Sequence, residues 1–178
     1  MPMFMPRCMV NVRIIVASAV IAVSTQLNAE TIRFPKNNPA ITLELPAGAT
    51  AKFEDNGSLT IKLKGKLSYA TLSELDHCVS DKEAAERAKK EAWDMYVGTD
   101  YLGRDHVSEK EKLADGILAL DVTVVGQSSG EANSGLNIWA AGVVLWVNEK
   151  RCFLLSSAHD MGGMHDYLAL RKSLRVVP

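Results

Sequence analysis

Hydrophobic and polar residues change period along this chain, and each change marks a new kind of element. In Ile41-Thr-Leu-Glu-Leu45 apolar side chains fall on every second position, and Pro46-Ala-Gly48 ends the run, which predicts a strand with one wet face. Thr50 to Glu54 makes a second short run, Asp55-Asn56-Gly57 supplies a tight turn, and Leu59-Thr-Ile-Lys-Leu63 alternates again. The first third therefore reads as an antiparallel meander with Leu59, Ile61 and Leu63 inward and Thr60, Lys62 and Lys64 outward. At Ser80 the period lengthens to that of a helix. Ser80-Asp-Lys-Glu83 is a capping box, Gly98 offers the stop, and between them Ala85, Ala88, Ala92 and Tyr96 form a stripe of mostly small residues opposite Glu83, Arg87, Lys90 and Asp94.

From Tyr101 to Gly116 the chain is polar and weakly patterned, which predicts a loop with a short helical turn capped by Ser108 and Glu111. Ile117 to Val125, Leu136 to Val147 and Cys152 to Leu155 are β-rich runs, with Asn148-Glu-Lys150 as a hairpin turn. The run around Trp139 and Trp146 is apolar at both parities, so it predicts a central strand covered on both sides, with the two tryptophans as core anchors. Gln127 to Gly135 has the composition of a hairpin loop. A last helix starts near Asp160, its N-cap, and turns Gly163, Met164, Tyr167, Leu170, Arg171 and Leu174 to one face. The order of strands, helix, strands and helix predicts an α+β fold, an antiparallel sheet covered by helices on both faces.

Composition narrows the class. With 47% apolar and 23% charged residues and a net charge of −1, the 178-residue chain is neither a disordered tail nor a nucleic-acid binder, which needs clustered Lys and Arg. Arg7 and Arg13 precede an apolar run from Ile14 to Val23, with small or polar residues following to Ala29. That run is too short to span a bilayer, so residues 1–29 read as a signal peptide and 30–178 as one periplasmic or secreted α+β domain with no permanent membrane span. Cleavage after Ser24 is the alternative to cleavage after Ala29. Two cysteines then remain, Cys78 and Cys152, either as a disulfide suited to an oxidising compartment or as two small buried side chains.

Ile41-Thr-Leu-Glu-Leu-Pro-Ala-Gly48, Gly57-Ser-Leu-Thr-Ile61, Lys150-Arg-Cys-Phe-Leu-Leu-Ser156 and the terminal Asp166-Tyr-Leu-Ala-Leu-Arg-Lys-Ser-Leu-Arg175 follow one another in an order that resembles the PsbP-like superfamily. The resemblance implies an α/β/α sandwich and a non-enzymatic binding or assembly role. It implies no site residues.

The densest chemistry lies in His159-Asp-Met-Gly-Gly-Met-His165-Asp166. Imidazole with thioether is a copper-type ligand set, so His159, Met161, Met164 and His165 are candidate metal ligands and copper the candidate cofactor. The alternative is a capped helix start with a core methionine and a solvated His165. His77-Cys78 and Asp105-His106 carry similar donors without a joining motif. Ser156, Ser157, His159 and Asp160 supply the residue types of a hydrolytic triad, but there is no Gly-x-Ser-x-Gly elbow, and no phosphate-binding loop appears anywhere. The sequence thus predicts an exported, non-enzymatic binding or accessory module for an envelope protein or small ligand. The edge near Lys62 and the Gln127–Gly135 loop are its candidate contact surfaces. A periplasmic copper-binding protein and a small hydrolase are the alternatives.

Overall fold

A computed structural model describes residues 30–96, 100–107, 110–128 and 136–177. The elements in chain order are β1 (Thr31–Phe34), β2 (Ile41–Glu44), β3 (Thr50–Phe53), β4 (Leu59–Lys62), β5 (Tyr69–Glu74), α1 (Asp81–Met95), β6 (Asp100–Val107), β7 (Glu111–Lys112), β8 (Leu118–Ser128), β9 (Leu136–Trp146), β10 (Cys152–Asp160), α2 (Met161–Lys172) and β11 (Arg175–Val176). Seven strands run in the order β3-β4-β5-β10-β9-β8-β6, with β7 as an eighth beside β8, and all pair antiparallel. A second sheet has the order β1-β2-β11.

The expected α/β/α sandwich, with helices covering both faces, is not what forms. Among the described residues eleven strands accompany only two α-helices, and the fold is β-rich, built on two antiparallel sheets. One face of the large sheet is covered by α1, which lies across β9, β8 and β10. The opposite face is closed chiefly by the small sheet, whose Phe34, Ile41 and Leu43 interdigitate with Leu59, Ile61, Leu72 and Leu155 of the large one. Helix α2 adds Tyr167 and Leu170 to that same core, and Leu174, just after the helix, joins them. Alternation marks β2 as a strand, but β2 pairs with β1 and β11 and not with the β3–β4–β5 meander, and β1 and β11, at four and two residues, are too short for a period to reveal the second sheet.

The other local expectations are met in part. Leu59, Ile61 and Leu63 are buried while Lys62 and Lys64 are exposed, and Gly57 closes its turn at φ +83°. Ser80 Oγ accepts the Glu83 N–H at 3.4 Å, but the Glu83 carboxylate pairs with Arg87 at 2.9 Å instead of reaching back. The helix buries Ala84, Ala88 and Ala92, one register away from the expected start at Ala85, and ends at Met95; Gly98 lies outside the described residues. The segment read as a loop with a helical turn contains the strands β6 and β7, followed by a 3-10 turn at Ala114–Gly116. β9 is central, as its two apolar faces require, and every residue from Ala140 to Leu145 is buried.

Candidate functional site

Alternate side chains of β10 point to the small-sheet side. Phe153 and Leu155 take the first two of those positions and belong to the core, while Ser157 and His159 take the last two. A polar pair thus occupies a wall that is otherwise apolar. His159 is only 2% exposed and lies between two rings. Its register partner Trp139 stacks at 6.3 Å between centroids with a 10° interplanar angle, and Tyr167 of α2 stacks on the other side at 4.7 Å and 20°. Ser157 Oγ is 3.4 Å from His159 Nδ1. Burial pushes the His159 imidazole down to about 4, against a partial upward pull from the Asp160 carboxylate, so the ring is neutral at pH 7. Burial likewise pushes the Tyr167 phenol up to about 12, with Arg171 opposing.

Asp160 ends the strand and caps the helix. Its Oδ1 accepts the N–H groups of Gly162 and Gly163 at 2.9 and 3.1 Å and the Ser68 hydroxyl at 3.1 Å, and its Oδ2 accepts the Lys66 N–H at 3.1 Å. Burial alone would raise this carboxyl, but the donors from Gly163, Ser68, Lys66 and Gly162 outweigh it and hold the group below the usual carboxylate range. The loop that wraps the helix start passes so close that a β-carbon at Gly65 would lie 2.5 Å from Asp160 Oδ1 and 2.6 Å from Ser68 Oγ, and Gly65 adopts φ +120°. Asp160→Ala should lower stability by about 3 kcal/mol, from the lost cap and two further donors left unpaired, as urea denaturation would measure. Asp160→Asn keeps an acceptor for the helix amides and should recover about 1 kcal/mol of it.

Farther along α2, Arg171 reaches β8 and β7, pairing with Asp121 at 2.7 Å and with Glu111; its buried Nε has no partner among the described residues. Helix α2 lies across β10 and β9. Beyond it the same face of the large sheet continues through Thr123 and Val125 of β8, which register with Ala141 and Trp139 of β9, and on to His106 of β6, which registers with Thr123. Thr123, Val125 and Trp139 are half-buried and His106 is exposed, so this part of the face is only partly covered. On the α2 side Met164 is half-buried and Leu168 is 41% exposed. The Trp139–His159–Tyr167 stack therefore runs from a half-buried part of the sheet face back into the core.

The expected metal ligands are placed in different surroundings. His159 is buried in its stack, Met161 is 70% exposed in the first turn of α2, Met164 is half-buried and His165 is exposed. No group of three or more His, Cys, Asp or Glu side chains among the described residues converges on a metal-sized site. The triad residue types are also separated. Ser156 faces α1, where its hydroxyl meets Glu91 at 3.5 Å; Ser157 and His159 lie on the opposite face; and the Asp160 carboxylate is committed to its four donors. Cys78 and Cys152 are bridged, with Cα atoms 5.2 Å apart, which ties the approach to α1 to the start of β10. Trp146 is half-buried; its indole N–H donates to the Val79 carbonyl at 3.1 Å, and Lys110 sits 4.1 Å above its ring. Lys62, Lys64 and Lys66 are all exposed. The signal segment and residues 129–135 of the expected contact loop lie outside the described residues, as does Ser108. No helix among the described residues is long and apolar enough to cross a membrane.

The Arg171–Asp121 link is absent from the sequence reading. A signal for it exists in Leu118-Ala-Leu-Asp-Val122, where a carboxylate interrupts an apolar run at a position that faces α2. Arg171 itself falls on the inner stripe of the last helix and so needs an acid opposite.

No family model matches the chain, and no curated protein is similar to it. Among solved structures it is similar to a crystal structure from Bacteroides thetaiotaomicron VPI-5482 at 1.50 Å resolution, with 9% identity and a TM-score of 0.50. The match covers 84% of this chain and 49% of that one, so this chain spans about half the length of its neighbour. At that identity the likeness concerns the fold alone.

Proposed function

We propose that this protein is an exported, non-enzymatic binding module of the bacterial envelope, and that it holds its partner or small ligand on the partly covered face around Trp139. The observation that carries the reading is the half-buried set Trp139, Val125 and Thr123 on a partly covered stretch of sheet, backed by a buried aromatic stack. An indole held rigid from behind offers a large apolar surface at little entropic cost. The disulfide supports the export half of the reading, because such bonds persist in oxidising compartments. A binding role is favoured over hydrolysis because Ser157 and His159 are closed to solvent and the neighbouring acid points away from the imidazole. It is favoured over copper handling because the His and Met donors do not share one environment.

A photoreactive residue installed at Thr123 should capture an envelope component in living cells, whereas the same residue at Lys90, on the exposed side of α1, should not. Fractionation should recover the chain outside the cytoplasm. Equal labelling from both positions, or ester turnover lost in Ser157→Ala, would remove the binding assignment.

A further inference from the structure

His159 is the one histidine among the described residues that is buried, and everything it touches belongs to the junction of β10, β9 and α2. Its ring stacks with Trp139, the half-buried indole of the sheet face, and with Tyr167, which seats α2 in the core. The next residue, Asp160, fixes the first turn of the same helix. A change at this one imidazole would therefore reach the binding face and the helix together.

We propose that His159 is an acid-responsive latch: when it gains a proton, the Trp139–His159–Tyr167 stack loosens, the first turn of α2 opens and the indole surface is reshaped. The setting of this inference, a ligand face at Trp139, rests on the function proposed above. The latch itself rests on the stack.

The electrostatic surroundings explain why a proton is disruptive here. The ring is enclosed by Trp139 of β9 and Tyr167 of α2, and Ser157 Oγ faces its Nδ1. Asp160 is the nearest acid, but its oxygens are taken up by four donors. From α2 come Asp166, whose carboxylate is engaged by the Lys64 N–H at 3.1 Å, and Arg171, a second cation, already paired to Asp121 of β8 and Glu111 of β7. The 64–68 loop contributes Lys64 and Lys66, both exposed and both positive. A cation formed in this enclosure gains some attraction from the two rings, yet it loses its hydration and finds no free carboxylate. The direction follows. The folded imidazole is held near 4 and the unfolded one titrates near the usual 6.5, so the junction is fully held above about 6.5 and weakens as pH falls towards about 4. Asp160 is also held low, but a carboxylate weakens the fold only when pH drops through its own, lower range. The two windows are thus separable.

Proton NMR with amide exchange on the full chain tests this. Between pH 6.5 and 4 the Trp139 indole resonance, assigned with Trp139→Phe, should shift, and protection of the amides of residues 161–165 should fall at least tenfold while α1 stays protected. In His159→Phe, which keeps a flat ring but cannot ionise, that transition should vanish above pH 4; His159→Gln serves if the Phe variant does not fold. An indole unmoved through the window, a transition that persists in the variant, or loss of α1 and α2 protection together would each overturn the latch. None of those results touches the crosslinking test of the face itself.

Discussion

Gly142→Ala should destabilise the protein by about 3 kcal/mol or more, although the same change in an exposed strand would be favourable. A β-carbon on Gly142 would lie 2.9 Å from the carbonyl carbon of Ala88 and nearer still to its oxygen. Those are backbone atoms of α1, which no rotamer change can move aside. The helix would have to lift from β9, opening the cluster of Val79, Ala84, Ala88, Leu120, Val122, Val144 and Leu154 beneath it. Overpacking therefore outweighs the backbone-entropy gain. Combining Gly142→Ala with Ala88→Gly should give no rescue, because the obstacle is the carbonyl and not the Ala88 methyl. Urea midpoints for the single and double variants would measure this, and wild-type stability in Gly142→Ala would mean that α1 does not sit so closely on β9.

The second large effect belongs to the disulfide. The bridge joins residues 74 positions apart, and in the chain-entropy picture closing such a loop stabilises the fold by at most about 4 kcal/mol. Cys78→Ala with Cys152→Ala should lose most of that, and its denaturation midpoint should no longer respond to reductant, whereas that of the wild type should fall towards the variant when dithiothreitol is added. Cys152 is fully buried and alanine leaves only a small gap there, so the loss would reflect the missing tether more than poor packing. Equal midpoints for oxidised wild type and the double variant would show that the bridge contributes nothing.

The elements were legible in the sequence wherever the period held for long enough. The β4 alternation, the two-sided apolar run of β9, the Ser80 cap and the Asp160 cap all correspond to structure. The architecture was not, because two-sided burial of β9 says only that both faces are covered and is silent on what covers them. A helix and a sheet hide apolar surface equally well, and the covering sheet is assembled from β1, β2 and β11, pieces separated by most of the chain. Polar residues hid β6 for a related reason. It is an edge strand, and an edge strand carries little of the apolar pattern that betrays a buried one.

The site was half visible. His159 and Asp160 stood out by residue type, but proximity in sequence suggested that they act together, whereas β10 turns the imidazole into the stack and the helix start claims the carboxylate. Their partners come from far away: Trp139 from β9, Ser68 from the loop before β5, and Tyr167 from the second turn of α2. Tyr167 could be placed on an inner face by period, but nothing in a linear string says which ring it meets. The Met161 to His165 segment looked like a ligand set because composition ignores direction. Met161 and His165, four apart, share the exposed side of α2, but Met164 turns partly inward and His159 is buried on β10 before the helix begins.

The pairing of β5 with β10 sets the order in which the molecule can be completed. β3, β4 and β5 form a meander, yet β5 finds its other neighbour only at Cys152–Asp160, about eighty residues later, and β2 waits for Arg175–Val176. Such distant closures make folding slow relative to a chain of local hairpins. A polypeptide emerging N-terminus first could pair β1 with β2, β3 with β4 and β4 with β5, but one edge of β5 and one edge of β2 would stay unpaired until almost all of it had been released. The waiting β5 edge would be open to aggregation until β10 arrives.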